Sequence, residues 1–210
     1  MIKYIFFDND GVLVDTEKYF FKATHEILLK QGIALTKEKF IELTLVGNEG
    51  GWRLAREKGF SELQINEMRE ERNELYAGYL AENSLLIKGV KNTISILSNK
   101  YNLGIVTSSK RSHFDLIHKN TGILHYFNFA LAREDYAKSK PSPEPYLKAL
   151  ETAGCKKEEC IVVEDSERGV NAAAAAGIKC IAIPDSLTVT SDFSKAETVL
   201  NNVEQLLAVL

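Results

Sequence analysis

Five short apolar runs recur along the chain, at residues 2–7, 103–107, 128–131, 160–164 and 179–183. None shows the strict alternation of a sheet with one wet face. Near-continuous apolar runs of this length predict strands buried on both sides, as in a parallel sheet. Helix-like periodicity fills the spaces between the later runs, at 90–99, 109–120, 143–153 and 167–176. Ser142 before Pro143 predicts a helix start, with the hydroxyl as cap and proline at the first helical position. Gly177, after the alanines of 172–176, predicts a helix stop. Strand and helix in regular succession predict a doubly wound α/β fold.

That succession breaks once. From Thr16 to about Ile87 strand signals are almost absent, and charged, helical patterning takes over. A helix capped by Asp15 or Thr16 is expected to reach Lys30 and end at Gly32, with further helices at 37–45, 52–58 and 61–81. About 70 residues is too long for a loop inside a compact domain. The expected organisation is an α/β core of residues 1–15 and 88–210, with a helical domain of residues 16–87 inserted after the first strand. The alanine run fits a small-residue helix face packed close to the sheet.

Composition narrows the function classes. The 210 residues carry a net charge of −3, with 45% hydrophobic and 26% charged residues. This is an ordinary globular balance, with no electrostatic reason to expect nucleic acid or an anionic membrane as partner. No apolar run approaches the roughly 18 residues of a membrane span, and the stretch before Asp8 is too short for a signal-peptide core. Cys155, Cys160 and Cys180 lack zinc-site spacing and are expected to be reduced, buried thiols, with the cytoplasm as compartment. A monomer is compatible with the sequence, which does not set the oligomeric state.

In open α/β sheets, ligands bind beyond the carboxyl ends of the strands. The first strand ends in Asp8 and Asp10, two acids that repel each other at one strand mouth unless a cation joins them. The second ends in Thr107, Ser108 and Ser109, and the fourth in Glu164 and Asp165, with Ser166 as the next helix cap. The proline-rich segment SKPSPEP presents Lys140. Carboxylates without histidine or cysteine partners suit a hard, oxygen-loving cation, Mg²⁺ above all. Hydroxyls at a helix start make an anion site, and a lysine adds a compact positive charge. Together these parts describe phosphoryl transfer.

On these residues the chain resembles the haloacid dehalogenase superfamily, in the subgroup whose helical cap follows the first strand. Asp8-Asn9-Asp10-Gly11-Val12 matches the DxDGx signature, Thr107 the strand-end hydroxyl, Lys140 in KPSPEPY the motif lysine, and Glu164-Asp165 the acidic pair. The resemblance implies that Asp8 is the nucleophile, forming an aspartyl-phosphate, and that Asp10 is general acid and then base. It implies Mg²⁺ held by Asp8, Asp165 and the Asp10 backbone carbonyl, with Glu164 helping directly or through water. Thr107, Ser108 and Lys140 would bind phosphoryl oxygens. The second acid, Asp10, sets the chain apart from true dehalogenases, which lack it and need no metal.

The expected activity is hydrolysis of a small phosphorylated metabolite, a sugar or polyol phosphate. A β-phosphoglucomutase is the nearest alternative; those mutases resemble the chain at DGVxxDTxxY but have a histidine where Phe20 stands. They also carry an arginine in a cap loop where Gly47 is here followed by Asn48 and Glu49. Phosphonate hydrolysis would require a cap lysine that the sequence does not single out. A phospho-accepting receiver domain uses similar residue types, but its acceptor lies on a middle strand and it has no helical insert. The segment Gly47 to Arg53 is expected to face the substrate's leaving group. His25, His113, His118 and His125 show no ligand or triad spacing and are expected at the surface or in packing roles.

Overall fold

The computed structural model describes residues 1–47 and 49–210. They form two compact units, Met1–Asp15 with Leu85–Leu210, and Thr16–Ser84. The first strand, β1 (Tyr4–Phe7), lies in the middle of the sheet, with Ile5, Phe6 and Phe7 fully buried. The chain then turns through Asn9, whose carbonyl accepts from Leu13 and Val14. Val14 forms an antiparallel bridge with Leu86, flanked by hydrogen bonds from Asp15 N to Leu85 O (2.8 Å) and Ile87 N to Leu13 O (3.1 Å). Leu85–Ile87 therefore belong with the sheet unit and not, as expected, with the insert, because their backbone groups are paired there.

The inserted unit contains α1 (Glu17–Lys30), α2 (Lys37–Phe40), α3 (Trp52–Glu57) and α4 (Glu62–Glu82). Ala23, Thr24, Ile27 and Leu28 form the buried stripe of α1. It packs along α4, where Tyr76 meets Phe20 edge to face at 5.2 Å and Tyr79 donates to Glu26 at 2.8 Å. Ser61 and Gln64 cap α4 reciprocally, satisfying backbone N–H groups that the first helical turn leaves over. The single helix expected over 37–45 is instead α2 running into a π-helical turn, Ile41–Val46.

The sheet unit continues with α5 (Val90–Leu97), β2 (Asn102–Val106), α6 (Arg111–His118), β3 (Phe129–Leu131), α7 (Glu144–Ala153), β4 (Cys160–Glu164), α8 (Glu167–Ala175), β5 (Lys179–Ala182), β6 (Thr198–Val199) and α9 (Leu206–Val209). All six strands are parallel, in the order β3-β2-β1-β4-β5-β6. β1 is paired on both edges, Phe7 opposite Ile105 on one side and Val163 on the other. Connections run outward from β1 in both directions, so the crevice where ligands collect in such sheets opens at its carboxyl end.

On one face Phe6, Val162 and Cys180 pack with Tyr146, Ala149 and the small residues Ala172, Ala173 and Ala176. Ile5 and Phe7 alternate to the opposite face. The predicted start of α7 shifts by one residue: Pro143 is the N-cap, and Ser142 Oγ accepts from Glu144 N at 3.3 Å. Gly177 follows α8 with φ +72°, as its sequence position suggested. Among the described residues no helix is long and apolar enough to cross a membrane.

Candidate active site

Asp8 is the first residue beyond β1, and its N–H still bonds to Val163 O at 2.8 Å. The backbone thus stays fixed to β4 while the carboxylate emerges at the crevice. Three residues on, the chain must turn sharply beside β4. Gly11 makes this turn with φ +81°, and a Cβ there would come within 2.3 Å of an Asp165 carboxylate oxygen. Only glycine combines that backbone conformation with so close an approach.

The end of β4 supplies Glu164 and Asp165, both buried. Ser166 caps α8, accepting from Gly169 N at 3.2 Å. Gly169 leaves room for the Glu164 carboxylate, which would lie within 2.0 Å of any Cβ at that position. Lys140 enters from the segment before α7, with a cis peptide to Pro141. It is 3% exposed, and its Nζ donates to Asp8 Oδ1 at 2.5 Å, Glu164 Oε1 at 2.6 Å and Val106 O at 2.9 Å.

All the accepting capacity of Glu164 is directed inward. Oε1 takes Lys140 and the Tyr146 hydroxyl (2.7 Å), while Oε2 takes the Ser166 hydroxyl and the N–H groups of Asp165 and Ser166. Burial opposes ionisation of Glu164, but Lys140, Tyr146 and Ser166 outweigh it and hold its pKa below the usual value. Burial likewise opposes the Lys140 charge, yet Asp8 and Glu164 raise its pKa. Asp8 is pushed up to about 8, first by burial and then by the charges of Glu164 and Asp10, against the opposing pull of Lys140. One ammonium is too little positive charge for this group of acids.

Asp8, Glu164 and Asp165 each bring a carboxylate oxygen within 4.8 Å of the others. This buried, all-oxygen cluster, short of positive charge, fits a hard divalent cation.

Asp10 has a different environment. Its Oδ2 accepts from Thr107 Oγ1 at 3.0 Å, Ser109 Oγ at 2.8 Å and Asn9 Nδ2 at 3.3 Å. Thr107 is fully buried, and its carbonyl accepts from the Tyr136 hydroxyl at 2.6 Å. Two carboxylates from one short turn therefore face different partners, an ammonium for Asp8 and two hydroxyls with an amide for Asp10.

Asp8, Lys140, Glu164 and Asp165 gather at one strand mouth, as the sequence suggests, and Thr107 joins Asp10. The Ser108 hydroxyl takes no part in these hydrogen bonds; the neighbouring Ser109, two residues from Thr107, binds Asp10 instead. Three contributors were not recognised from sequence: Ser109 as an Asp10 partner, Tyr146 beneath Glu164, and His118. Far from the surface, His118 is 5% exposed, and its Nε2 lies 2.7 Å from Asn9 Oδ1. The stripe Phe114, Ile117 and His118 on α6 was the available signal.

In the inserted unit, Trp52 is buried, and Arg53 pairs with Glu57 at 2.8 Å and Glu49 at 3.5 Å. The Arg53 side chain is exposed, held between these two acids. Asn48, in the same expected segment, lies outside the described residues.

The profile of the haloacid dehalogenase-like hydrolases matches residues 5–183. A phosphoglycolate phosphatase of Photorhabdus laumondii is 31% identical, over all of this chain and 92% of its own. The crystal structure of a CbbY variant from Rhodobacter sphaeroides, in complex with xylulose-(1,5)bisphosphate, superimposes with a TM-score of 0.83 at 26% identity, covering 98% and 96% of the two chains. A β-phosphoglucomutase from Clostridium difficile gives 0.81 at 25% identity, covering 98% and 93%. The parallel sheet, the acids at its centre and these matches agree: the chain belongs to the haloacid dehalogenase-like hydrolases.

Proposed function

We propose that the chain is a Mg²⁺-dependent phosphatase of a small sugar or polyol phosphate, working through an aspartyl-phosphate on Asp8. The observation that carries this reading is the division of labour between Asp8, bound to Lys140 at 2.5 Å, and Asp10, bound to Thr107 and Ser109. An Asp8 oxygen attacks phosphorus, forming a P–O bond as the bond to the leaving oxygen breaks. Asp10 gives that oxygen a proton. It then removes a proton from the water that attacks the aspartyl-phosphate, releasing inorganic phosphate and restoring Asp8.

Asp8, Asp165 and the Asp10 backbone carbonyl would hold Mg²⁺, which supplies charge neutralisation of the transferring group when bound. Glu164, whose oxygens already accept five hydrogen bonds, acts chiefly by holding Lys140. Lys140 meets a phosphoryl oxygen and offsets the negative charge around Asp8, with the Thr107 and Ser108 hydroxyls beside it. The helical insert is the family's specificity-bearing cap.

The sugar-phosphate class is supported by the xylulose bisphosphate bound to one relative and by the phosphoglucomutase fold of another. A mutase reading draws on the latter, but Phe20, at the position of the mutase histidine, packs against Phe40, Tyr76 and the Arg72 guanidinium. The test is turnover of p-nitrophenyl phosphate and of a panel of sugar, polyol and nucleotide phosphates. The panel includes β-glucose-1-phosphate with and without a bisphosphate primer. Mg²⁺-dependent release of phosphate, abolished by Asp8→Asn and by EDTA, is the expected result. Phosphate release from none of the panel would overturn the reading, and isomerisation that needs the primer would establish the mutase.

A further inference from the structure

Behind the reacting acids a chain of side chains runs from α6 to Asp10. His118 Nε2 lies 2.7 Å from Asn9 Oδ1, and Asn9 Nδ2 lies 3.3 Å from Asp10 Oδ2. His118 Nδ1 is 3.0 Å from the Thr121 hydroxyl. Asp10 Oδ2 accepts from the Thr107 and Ser109 hydroxyls, so the Asn9 amide nitrogen faces it as a further donor and the Asn9 oxygen faces His118. His118 therefore carries a proton on Nε2, while its Nδ1 faces the Thr121 hydroxyl, which also reaches the His118 carbonyl at 3.4 Å.

From this geometry we infer that His118 is a positioning residue for the acid–base step, fixing Asp10 through Asn9. The inference deepens the phosphatase reading and rests on it. Three donors, from Asn9, Thr107 and Ser109, converge on Asp10 Oδ2. That oxygen anchors the carboxylate. Two of the anchors come from the end of β2. The third is a flexible amide that is itself fixed only if something holds its oxygen. His118, buried and stacked on Phe114 at 4.6 Å between ring centroids, is rigid enough to do so. Its pKa is lowered to about 4, by burial in the first place, so the imidazole is neutral near pH 7 and keeps one ring N–H for Asn9.

A mere packing role would affect all substrates alike, whereas misplacing an acid harms the leaving group that needs a proton. The experiment compares kcat/KM for phenyl phosphate and p-nitrophenyl phosphate, both with Mg²⁺. The two esters have similar bulk, but nitrophenolate departs readily without protonation. For His118→Leu the expected loss on phenyl phosphate is roughly 10- to 100-fold, a part of what a general acid contributes, with much less loss on the nitrophenyl ester. His118→Gln, which keeps an N–H donor, is expected to recover most of the difference. Equal losses on both substrates, or no loss on either, would overturn the inference. Should His118→Leu fail to fold, the same comparison on Asn9→Leu decides by the same outcomes. If the unsubstituted chain turns over neither ester, the phosphatase reading itself fails and takes this inference with it; a failure confined to the variants' selectivity refutes only the role of His118.

Discussion

Tyr146 donates its buried hydroxyl to Glu164 Oε1 at 2.7 Å, the same oxygen that accepts from Lys140. Burial and the Glu164 charge push the Tyr146 pKa well above its ordinary value, so it remains a donor throughout the working pH range. In Tyr146→Phe, Glu164 loses one of its five hydrogen bonds inside a fully buried site. The expected cost is about 1–3 kcal/mol of stability, read from urea unfolding. The variant should keep its Mg²⁺ response, because Lys140 still bridges Glu164 and Asp8.

Metal dependence is expected in the folding equilibrium as well as in turnover. A cation that binds the native acids and not the unfolded chain stabilises by about 2.7 kcal/mol at a hundred times its Kd. Thermal unfolding with Mg²⁺ and with EDTA should show this difference. Asp165→Asn should abolish most of it. An unchanged Mg²⁺ response in that variant would remove Asp165 from the ligand set.

The buried His118 gives a pH signature with a definite sign. Its folded pKa, about 4, lies below the ordinary value of 6.5 because burial opposes the charge more than Asp10 and Asp115 favour it. The unfolded state then binds the extra proton between those values, so stability falls as pH drops from about 6.5 toward 4, by up to about 3 kcal/mol. Unfolding free energies at pH 7 and pH 4.5 test this. The difference between them should shrink in His118→Gln.

Gly11→Ala provides a steric test. The substitution combines a left-handed backbone conformation with a Cβ 2.3 Å from Asp165. Either the turn or Asp165 must move. Loss of Mg²⁺-dependent turnover is expected even where circular dichroism shows the fold retained.

The sheet was legible because its central strands, β1, β2, β4 and β5, are largely buried on both faces and so spell near-continuous apolar words. β6 was not, being two residues long and paired only at Thr198 and Val199. Asp8 and Asp165 could be read from strand ends, and Lys140 from its proline-rich segment. The partners of Asp10 could not, because choosing Ser109 over Ser108 depends on how the chain leaves β2. Tyr146 was visible within KPSPEPY but lacked a reason until Glu164 proved to point inward. His118 has no ligand spacing, and its company with Phe114 and Ile117 on one helix face argues for the packing role over the surface one. Spacing rules find residues that share a metal, and are blind to one that works through an asparagine amide 109 positions away.

The bridge between Val14 and Leu86 joins the two points where the chain leaves the sheet unit and returns to it. Seen from the sheet, everything between them is a closed loop whose ends are already tied. Such a junction tolerates changes in the length and composition of what it encloses, since loop-closure entropy grows only slowly with length. Replacing residues 16–84 with another helical insert, or with a short glycine-rich turn, need not disturb the pairing that presents Asp8. The fold thus has the makings of an interchangeable fitting, where one segment can be rewritten while the reactive acids stay in place.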